Sequence, residues 1–165
     1  MTEERKYFNE IVLPKFITNY VKEGDRVIDI GKPDDGWGYK QLFSKAQYRT
    51  LDRREDLLPD VCYNIENVSY SDEQVDCFVC HGVTEQCDNP FNLVRGLKNI
   101  VKVGGYGLIG IMSIGFPMIQ DLDLCRFTPN GAERLLKDFT IVNVDVFKKN
   151  NIPTCIYVVV RKDIE

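Results

Sequence analysis

The chain has 165 residues, of which 44% are hydrophobic and 28% are charged. This balance is typical of a globular protein that forms its own core, and it argues against a disordered or fibrous chain. The formal net charge of −4 argues against nonspecific binding to nucleic acid, which needs clustered positive charge. We therefore expect a single domain over residues 1–165 and no nucleic-acid partner.

The six cysteines stand at positions 62, 77, 80, 87, 125 and 155. An even number would suit a disulfide framework, but the first ten residues are charged and lack the apolar segment of a secretory signal peptide. We expect a cytoplasmic protein with reduced thiols. The longest uncharged run, from Val103 to Gln120, contains five glycines and a proline, so we interpret it as a buried strand and a loop and expect no membrane partner.

Apolar residues recur at helical spacing in residues 1–22, which predicts an N-terminal helical segment that Pro14 kinks or splits. Short apolar runs predict seven strands, at residues 26–31, 48–52, 61–65, 75–80, 106–113, 140–147 and 154–161. Further helices are predicted at residues 39–46, 90–101 and 128–139.

Two of these helices begin with clear capping signals. Asn89 precedes Pro90, and Thr128 precedes Pro129, so each helix has a capping side chain followed by proline at its first position. The pair Gly104-Gly105 is predicted to end the first of these two helices.

Strands that alternate with helices form a mostly parallel sheet between helical layers, which is an α/β sandwich. The last two strands have no helix between them, so we expect a C-terminal hairpin in which one strand runs antiparallel to the rest. Such sheets bind ligands beyond the carboxyl ends of their strands. The loops after the first, second and fourth strands are therefore the expected site.

Acidic residues at two of these strand ends suit a nucleoside ligand. Asp29 lies two residues before Gly31, in a loop that also contains Gly36; glycine lets the backbone approach a ligand closely, and the acid can accept hydrogen bonds from an ammonium group. Asp52 ends the second strand 21 residues after Gly31, where a carboxylate can accept hydrogen bonds from both hydroxyls of a ribose. The glycines do not match the dinucleotide pattern G-x-G-x-x-G.

Four polar side chains near the predicted strand ends are candidates for chemistry. His81, the only histidine, could act as a base for a substrate hydroxyl or amine, or could simply pack against a bound ligand at the strand end. Glu85 and Asp123 are second-rank catalytic candidates, for which exposed carboxylates are the simpler interpretation. Arg126 could hold an acidic substrate through two hydrogen bonds, or could be an ordinary surface charge.

The pair Cys77 and Cys80 has the C-x-x-C spacing of metal ligands, with His81 and Cys87 nearby. Side chains alternate between the two faces of a strand, so a spacing of three places these two sulfurs on opposite faces. We therefore expect core thiols and no metal site.

Five segments, in this order, resemble the motifs of the class I S-adenosylmethionine-dependent methyltransferases, in particular the small generic methyltransferase-domain type. They are GDRVIDIG, YRTLD, the stretch that runs from PDVCYNIENV to HGVTEQCDNP, LVRGLKNIVKVGGYGLIGI, and CRFTPNGAERLLKDF. The resemblance covers about residues 24–162. It implies a Rossmann-like three-layer sandwich with a mostly parallel seven-stranded sheet, whose last strand inserts antiparallel.

The resemblance also implies S-adenosylmethionine as the cofactor. Asp29 and Gly31 would lie beside its methionine part, Asp52 at its ribose, and Asn64 and Ile65 beside its adenine. The full set of implied cofactor-binding residues is Asp29, Gly31, Gly36, Asp52, Asn64, Ile65, Cys80 and His81.

The implied activity is methyl transfer to the oxygen or nitrogen of a small-molecule or sugar-linked acceptor. Two alternatives stay open. The first is a noncatalytic binding or scaffold module that keeps the fold, since residues 32–35 separate Gly31 from Gly36, and Gln86 stands where the family has histidine. The second is a nicotinamide oxidoreductase, against which the missing dinucleotide pattern and the C-terminal hairpin both count.

Overall fold

A computed structural model describes residues 2–31, 39–69, 74–117 and 123–164. The N-terminal segment is helical in three parts, α1 (Glu3–Tyr7), a π-helical turn (Phe8–Val12) and α2 (Leu13–Tyr20). Pro14 stands in the first turn of α2, where its missing N–H leaves no bond unmade. The wide turn just before it is closed by a bond from the Leu13 N–H to the Phe8 carbonyl, so the helix is irregular next to Pro14, although the backbone from Tyr7 to Leu13 keeps helical angles.

The rest of the described chain forms a seven-stranded sheet with helices on its faces. Its strands are β1 (Arg26–Ile30), β2 (Gln47–Asp52), β3 (Val61–Cys62), β4 (Val75–His81), β5 (Val101–Met112), β6 (Thr140–Lys149) and β7 (Ile152–Arg161). The later helices are α3 (Pro90–Ile100) and α4 (Pro129–Leu135).

The sheet order is β3-β2-β1-β4-β5-β7-β6. The first five strands are mutually parallel, and β7 is antiparallel to both β5 and β6. This confirms the predicted Rossmann-like sandwich and its C-terminal hairpin, which turns at Asn150 and Asn151 with positive φ angles of 51° and 65°. Ile30 pairs with Leu51 on one side and Cys80 on the other, so β1, β2 and β4 end together at one edge.

Apolar side chains pack on both faces of the sheet. Helices α3 and α4 cover one face, and α1, the π turn and α2 cover the other. Cys77 is buried in the core beneath the N-terminal helices and Cys80 in the core beneath α3 and α4, which confirms that their sulfurs lie on opposite faces. All six cysteines are free thiols.

The N-terminal helices are also tied to the C-terminal hairpin by hydrogen bonds. The Tyr7 hydroxyl donates to Asp145 of β6 at 2.6 Å, and the Tyr157 hydroxyl of β7 donates to the carbonyl of Glu4 at 3.2 Å. These two bonds fix α1 to the C-terminal hairpin, at the edge of the sheet that faces the site.

Four predicted elements were wrong in extent, and one of them is α4, which ends at Leu135 rather than near Phe139. Helix α3 ends at Ile100, and β5 begins at once with Val101 pairing to Val75 of β4, so the glycine pair lies inside the strand rather than at the helix end. Residues 39–46 form a 3₁₀ turn and further turns instead of a helix, closed by i→i+3 bonds. Strand β3 stops at Cys62 because Asn64 caps a 3₁₀ turn that starts with the next residue.

Among the described residues, no helix is long and apolar enough to cross a membrane.

Candidate functional site

A cavity of about 490 Å³ opens where β1, β2 and β4 end. Its volume is typical of a small-molecule site, and its place at the carboxyl ends of parallel strands is where such sheets bind ligands. The predicted residues that line it are Asp29, Gly31, Asp52, Asn64, Ile65 and His81. The fold therefore brings together residues that are up to 52 positions apart in the sequence, from Asp29 to His81.

Two of the predicted cofactor-binding residues are not among those that line the cavity. The Cys80 side chain is fully buried in the core beneath α3 and α4, on the opposite face of β4 from His81, so only its main chain can approach a ligand. Gly36 lies outside the described residues.

Asp29 is the buried carboxyl group of the cavity. It is only 2% exposed, and it accepts a hydrogen bond of 2.5 Å from the Tyr48 hydroxyl of β2. Burial raises the pKa of Asp29 to about 7, although the Tyr48 hydrogen bond acts in the opposite direction. A cationic group in the cavity would supply the missing counter-charge, so this carboxyl favours a ligand with an ammonium group.

Gly31 makes the turn that exposes the cavity after β1. Its φ of +89° is in the left-handed region, and a Cβ at this position would lie 2.4 Å from Cγ2 of Val83. Any other residue would therefore strain the backbone and clash with the loop after β4. The turn brings main chain from β1 and β4 close together at the edge of the cavity.

Asp52 and Asn64 supply polar groups at the β2 side of the cavity. Oδ1 of Asp52 accepts from the Arg54 N–H at 2.8 Å, and the carboxylate keeps capacity for further bonds because each of its oxygens can accept two. Oδ1 of Asn64 accepts from the Glu66 N–H at 3.0 Å, so the amide NH₂ is the donor that Asn64 can offer to a ligand.

Glu66 is a supporting residue that the sequence analysis missed. It lies next to Ile65 and is 7% exposed. Its two carboxylate oxygens accept from the Asn89 N–H at 2.6 Å and the Asp88 N–H at 3.3 Å. These bonds fix the turn after β3 against the start of α3, and thereby fix the cavity wall that Asn64 and Ile65 form.

His81 lies on the floor of the cavity with its ring stacked on Phe8, at a centroid distance of 3.9 Å and an interplanar angle of 6°. On β5, Gly110 makes room for the ring, since a Cβ there would lie 2.2 Å from Cδ2 of His81. Burial and the nearby charge of Arg5 lower the pKa of His81 to about 4. The imidazole is therefore neutral at pH 7 and a weak base, which favours the packing interpretation over the catalytic base.

Glu85 is buried, contrary to the expectation of an exposed carboxylate. It is 1% exposed in the 3₁₀ turn after β4, and neither of its carboxylate oxygens has a hydrogen-bond partner in the described part of the chain. Burial raises the pKa of Glu85 to about 7. Oε1 lies 3.5 Å from the position of a Cβ on Gly82, so the carboxyl group sits directly behind the cavity wall rather than on it.

Arg126 and Asp123 form an internal ion pair instead of an exposed charge and a free carboxylate. Nε and Nη2 of Arg126 both donate to the Asp123 carboxylate, and Nη1 donates to the Ser113 carbonyl at 3.0 Å. The guanidinium also lies over the ring of Phe116, 5.5 Å from its centroid. Arg126 is not among the lining residues of the cavity, and its contacts are those of a clamp between the end of β5 and the segment before α4.

The N-terminal helix closes one end of the cavity, which the sequence analysis did not anticipate. This α1 end is formed by Thr2, Glu4, Arg5, Tyr39, Met112 and Phe116. Glu4 is only 6% exposed and lies one helical turn before Phe8, which is fully buried. In the sequence, Glu4 lies on the same side of the helix as apolar residues such as Phe8. This spacing was the signal that could have identified Glu4 as a buried residue.

Comparison with known proteins supports the fold and the family. Residues 40–109 match the family described as the methyltransferase domain. No curated protein matches the sequence.

Three solved structures illustrate the similarity in fold. A SAM-dependent methyltransferase from Methanosarcina mazei has a TM-score of 0.71 at 15% identity, over 91% of this chain and 98% of that one. The N-methyltransferase NodS from Bradyrhizobium japonicum has a TM-score of 0.71 at 11% identity, over 98% and 97%. The 1,6-didemethyltoxoflavin-N1-methyltransferase from Burkholderia thailandensis, solved with its substrate and S-adenosylhomocysteine, has a TM-score of 0.73 at 12% identity, over 98% and 81%.

At these identities the structures establish a shared fold and say nothing of a shared substrate. The sheet order, the antiparallel β7 and the matched segment agree with one another. Residues 40–109 thus match the methyltransferase-domain family, and the fold of the described chain is that of solved SAM-dependent methyltransferases.

Proposed function

We propose that the cavity binds S-adenosylmethionine and that the protein transfers its methyl group to an oxygen or nitrogen of a small-molecule acceptor. The observation that carries this proposal is the buried Asp29 at the end of β1, in a cavity that Asp52 also lines. The two carboxyl groups suit the two ends of the cofactor, because one favours an ammonium group and the other can accept from ribose hydroxyls.

The residues present fit this cofactor on two further counts. Gly31 and Val83 are so close that the turn has no room for a side chain, which keeps the backbone accessible at the point where a ligand must approach. Asn64 and Ile65 offer an amide donor and an apolar surface side by side on the cavity wall, a combination that suits a purine ring. The S-adenosylhomocysteine bound in the Burkholderia thailandensis enzyme supports the same choice of ligand.

When bound, S-adenosylmethionine would supply an electrophilic methyl group, to which an acceptor oxygen or nitrogen could bond as the carbon–sulfur bond breaks and S-adenosylhomocysteine leaves. The contribution of this chain is to align the acceptor and to exclude water, which can account for much of the rate of such a displacement. We propose that the neutral His81 ring orients the acceptor from the cavity floor. Glu85 is the second candidate, and it would act through the wall formed by Gly82 and Met112.

The ribose assignment can be tested with calorimetry. Asp52→Ala removes hydrogen bonds to a charged group, worth about 1.5–3 kcal/mol, so the affinity for S-adenosylhomocysteine should fall by about 10- to 100-fold. Asp56→Ala is the matched control, because Asp56 is an exposed acid four residues further along the same turn, and it should leave the affinity unchanged.

Two results would contradict the proposal. If the wild-type protein binds NAD but not S-adenosylhomocysteine, the cavity serves an oxidoreductase. If it binds neither at millimolar concentration, the chain is a noncatalytic module that keeps the fold. Equal affinity in Asp52→Ala and the wild type would leave the cofactor in place but remove Asp52 from the ribose.

A further inference from the structure

We infer that the acceptor is an amine, and that the Glu4 carboxylate in the α1 end of the cavity receives its ammonium group. The inference rests on the proposed function, because it assigns the part of the cavity that the cofactor leaves to the acceptor. It names the chemical class of the substrate and a binding residue for it.

The primary observation is the state of the Glu4 carboxylate. Glu4 lines the cavity and is 6% exposed, and no described residue forms a hydrogen bond or an ion pair with its carboxylate. Its neighbour Glu3 differs in both respects, since it is exposed and pairs with Lys149 of β6 at 3.2 Å. The side chain is thus largely enclosed while its carboxylate has no protein partner, and a cationic ligand in the cavity would supply the counter-charge.

The charges around Glu4 give this region a negative balance. Glu4 and Glu85 both act on the thiol of Cys155, where burial is the main cause that raises the pKa and the two negative charges add to it. Arg126, the cation near Glu85, is engaged by Asp123. Together with Asp29 and Glu66, four buried acidic residues thus lie in or behind the cavity wall.

The cation of the α1 end is Arg5, which lines the cavity next to Glu4. Arg5 also takes part in a further interaction. Beside this one guanidinium, Glu4 and Glu85 keep the electrostatic preference of the α1 end for a cation in place.

The remaining walls of the α1 end are apolar. Tyr39, Met112 and Phe116 lie around it, and the His81 ring, stacked on Phe8, forms the floor. Aromatic rings attract cations through their faces and also pack against apolar carbon, so these walls suit an amine with an apolar or aromatic body.

Glu4 would also position the nucleophile. An ammonium group has no lone pair, so it must lose one proton before its nitrogen can attack a methyl group. The Glu4 carboxylate lies at the α1 end of the cavity, where it can hold the nitrogen by a hydrogen bond while that proton passes to solvent.

The test is calorimetry on the protein saturated with S-adenosylhomocysteine, with benzylamine, benzyl alcohol and benzoate as probes of equal size and different charge. Wild-type protein should bind benzylamine about 10- to 100-fold more tightly than benzyl alcohol, the range expected for hydrogen bonds to a charged group. Glu4→Gln should lose this preference. Glu3→Gln, one residue away on the same helix, should keep it.

The affinity of each variant for S-adenosylhomocysteine, measured in the same experiment, shows whether the variant is folded. The inference is overturned if benzylamine and benzyl alcohol bind equally to the wild type, if benzoate binds most tightly, or if a folded Glu4→Gln variant keeps the preference for the amine. Should the wild type not bind S-adenosylhomocysteine, the proposed function fails, and the same three probes added to the unliganded protein decide the role of Glu4 separately.

Discussion

Replacing Glu85 with glutamine should change how the stability of the protein depends on pH. The ordinary pKa of this carboxyl group is 4.5, and burial raises it to about 7 in the folded protein. A difference of this size corresponds to about 3 kcal/mol in the free energy of unfolding, at 1.36 kcal/mol for each pH unit. Because Glu85 is 1% exposed, solvent screening reduces this figure little.

The sign follows from where the proton is lost. Between pH 4.5 and about 7 the unfolded chain has released the Glu85 proton while the folded protein still holds it. The free energy of unfolding therefore falls as the pH rises through this window, and it levels off above about 7. Glutamine cannot ionise, so the variant lacks this decline.

Urea unfolding of both proteins at several pH values measures the effect. Relative to the wild type, Glu85→Gln should gain about 3 kcal/mol between about pH 4.5 and about pH 8. Asp29 also titrates near 7, but it is present in both proteins and cancels in the difference. Glu133→Gln, on the exposed side of α4, controls for the loss of one negative charge. A difference between variant and wild type that does not change with pH would refute the reasoning.

Three further outcomes are expected. Gly31→Ala should lower the free energy of unfolding by more than about 1 kcal/mol, because alanine strains a φ of +89° and its Cβ meets Val83 at 2.4 Å; urea titration measures this. Asn89→Ala removes the side chain that caps two N–H groups of α3, so it should cost about 1 kcal/mol by the same measurement. In native protein Ellman's reagent should react at once with Cys62, the exposed thiol, and with the four buried thiols only after unfolding.

The parts of the fold that could be predicted were those determined by local pattern. Strand β1 follows from a continuous apolar run, and the start of α3 follows from Asn89 and Pro90, because capping depends on neighbouring residues alone. The start of β5 was misplaced because Val101 pairs with Val75 of β4, a contact 26 residues away that overrides the local signal of two glycines.

The residues of the candidate site also fall into two groups, those that the sequence could place and those that it could not. Asp29, Gly31 and Asp52 could be placed from the sequence, since each stands at a strand end and parallel strands end at the same edge. The roles of Glu4 and Glu85 could not, because a carboxylate near apolar residues looks like a surface charge until the packing of its helix or turn is known. The ion pair of Arg126 with Asp123 could have been predicted, since the two residues lie only three positions apart.

The contact between α1 and the C-terminal hairpin has a consequence for the order of folding. Tyr7 bonds to Asp145 and Tyr157 bonds to Glu4, so residues near the start of this sequence are held by residues near its end. On the ribosome α1 and α2 emerge before the seven strands, yet β7, which packs against them and completes the sheet between β5 and β6, emerges after the other six. Contacts of such long sequence separation form late and slowly. The α1 end of the cavity should therefore be the last part of the molecule to mature, and until then the apolar face of the first helix needs protection from aggregation.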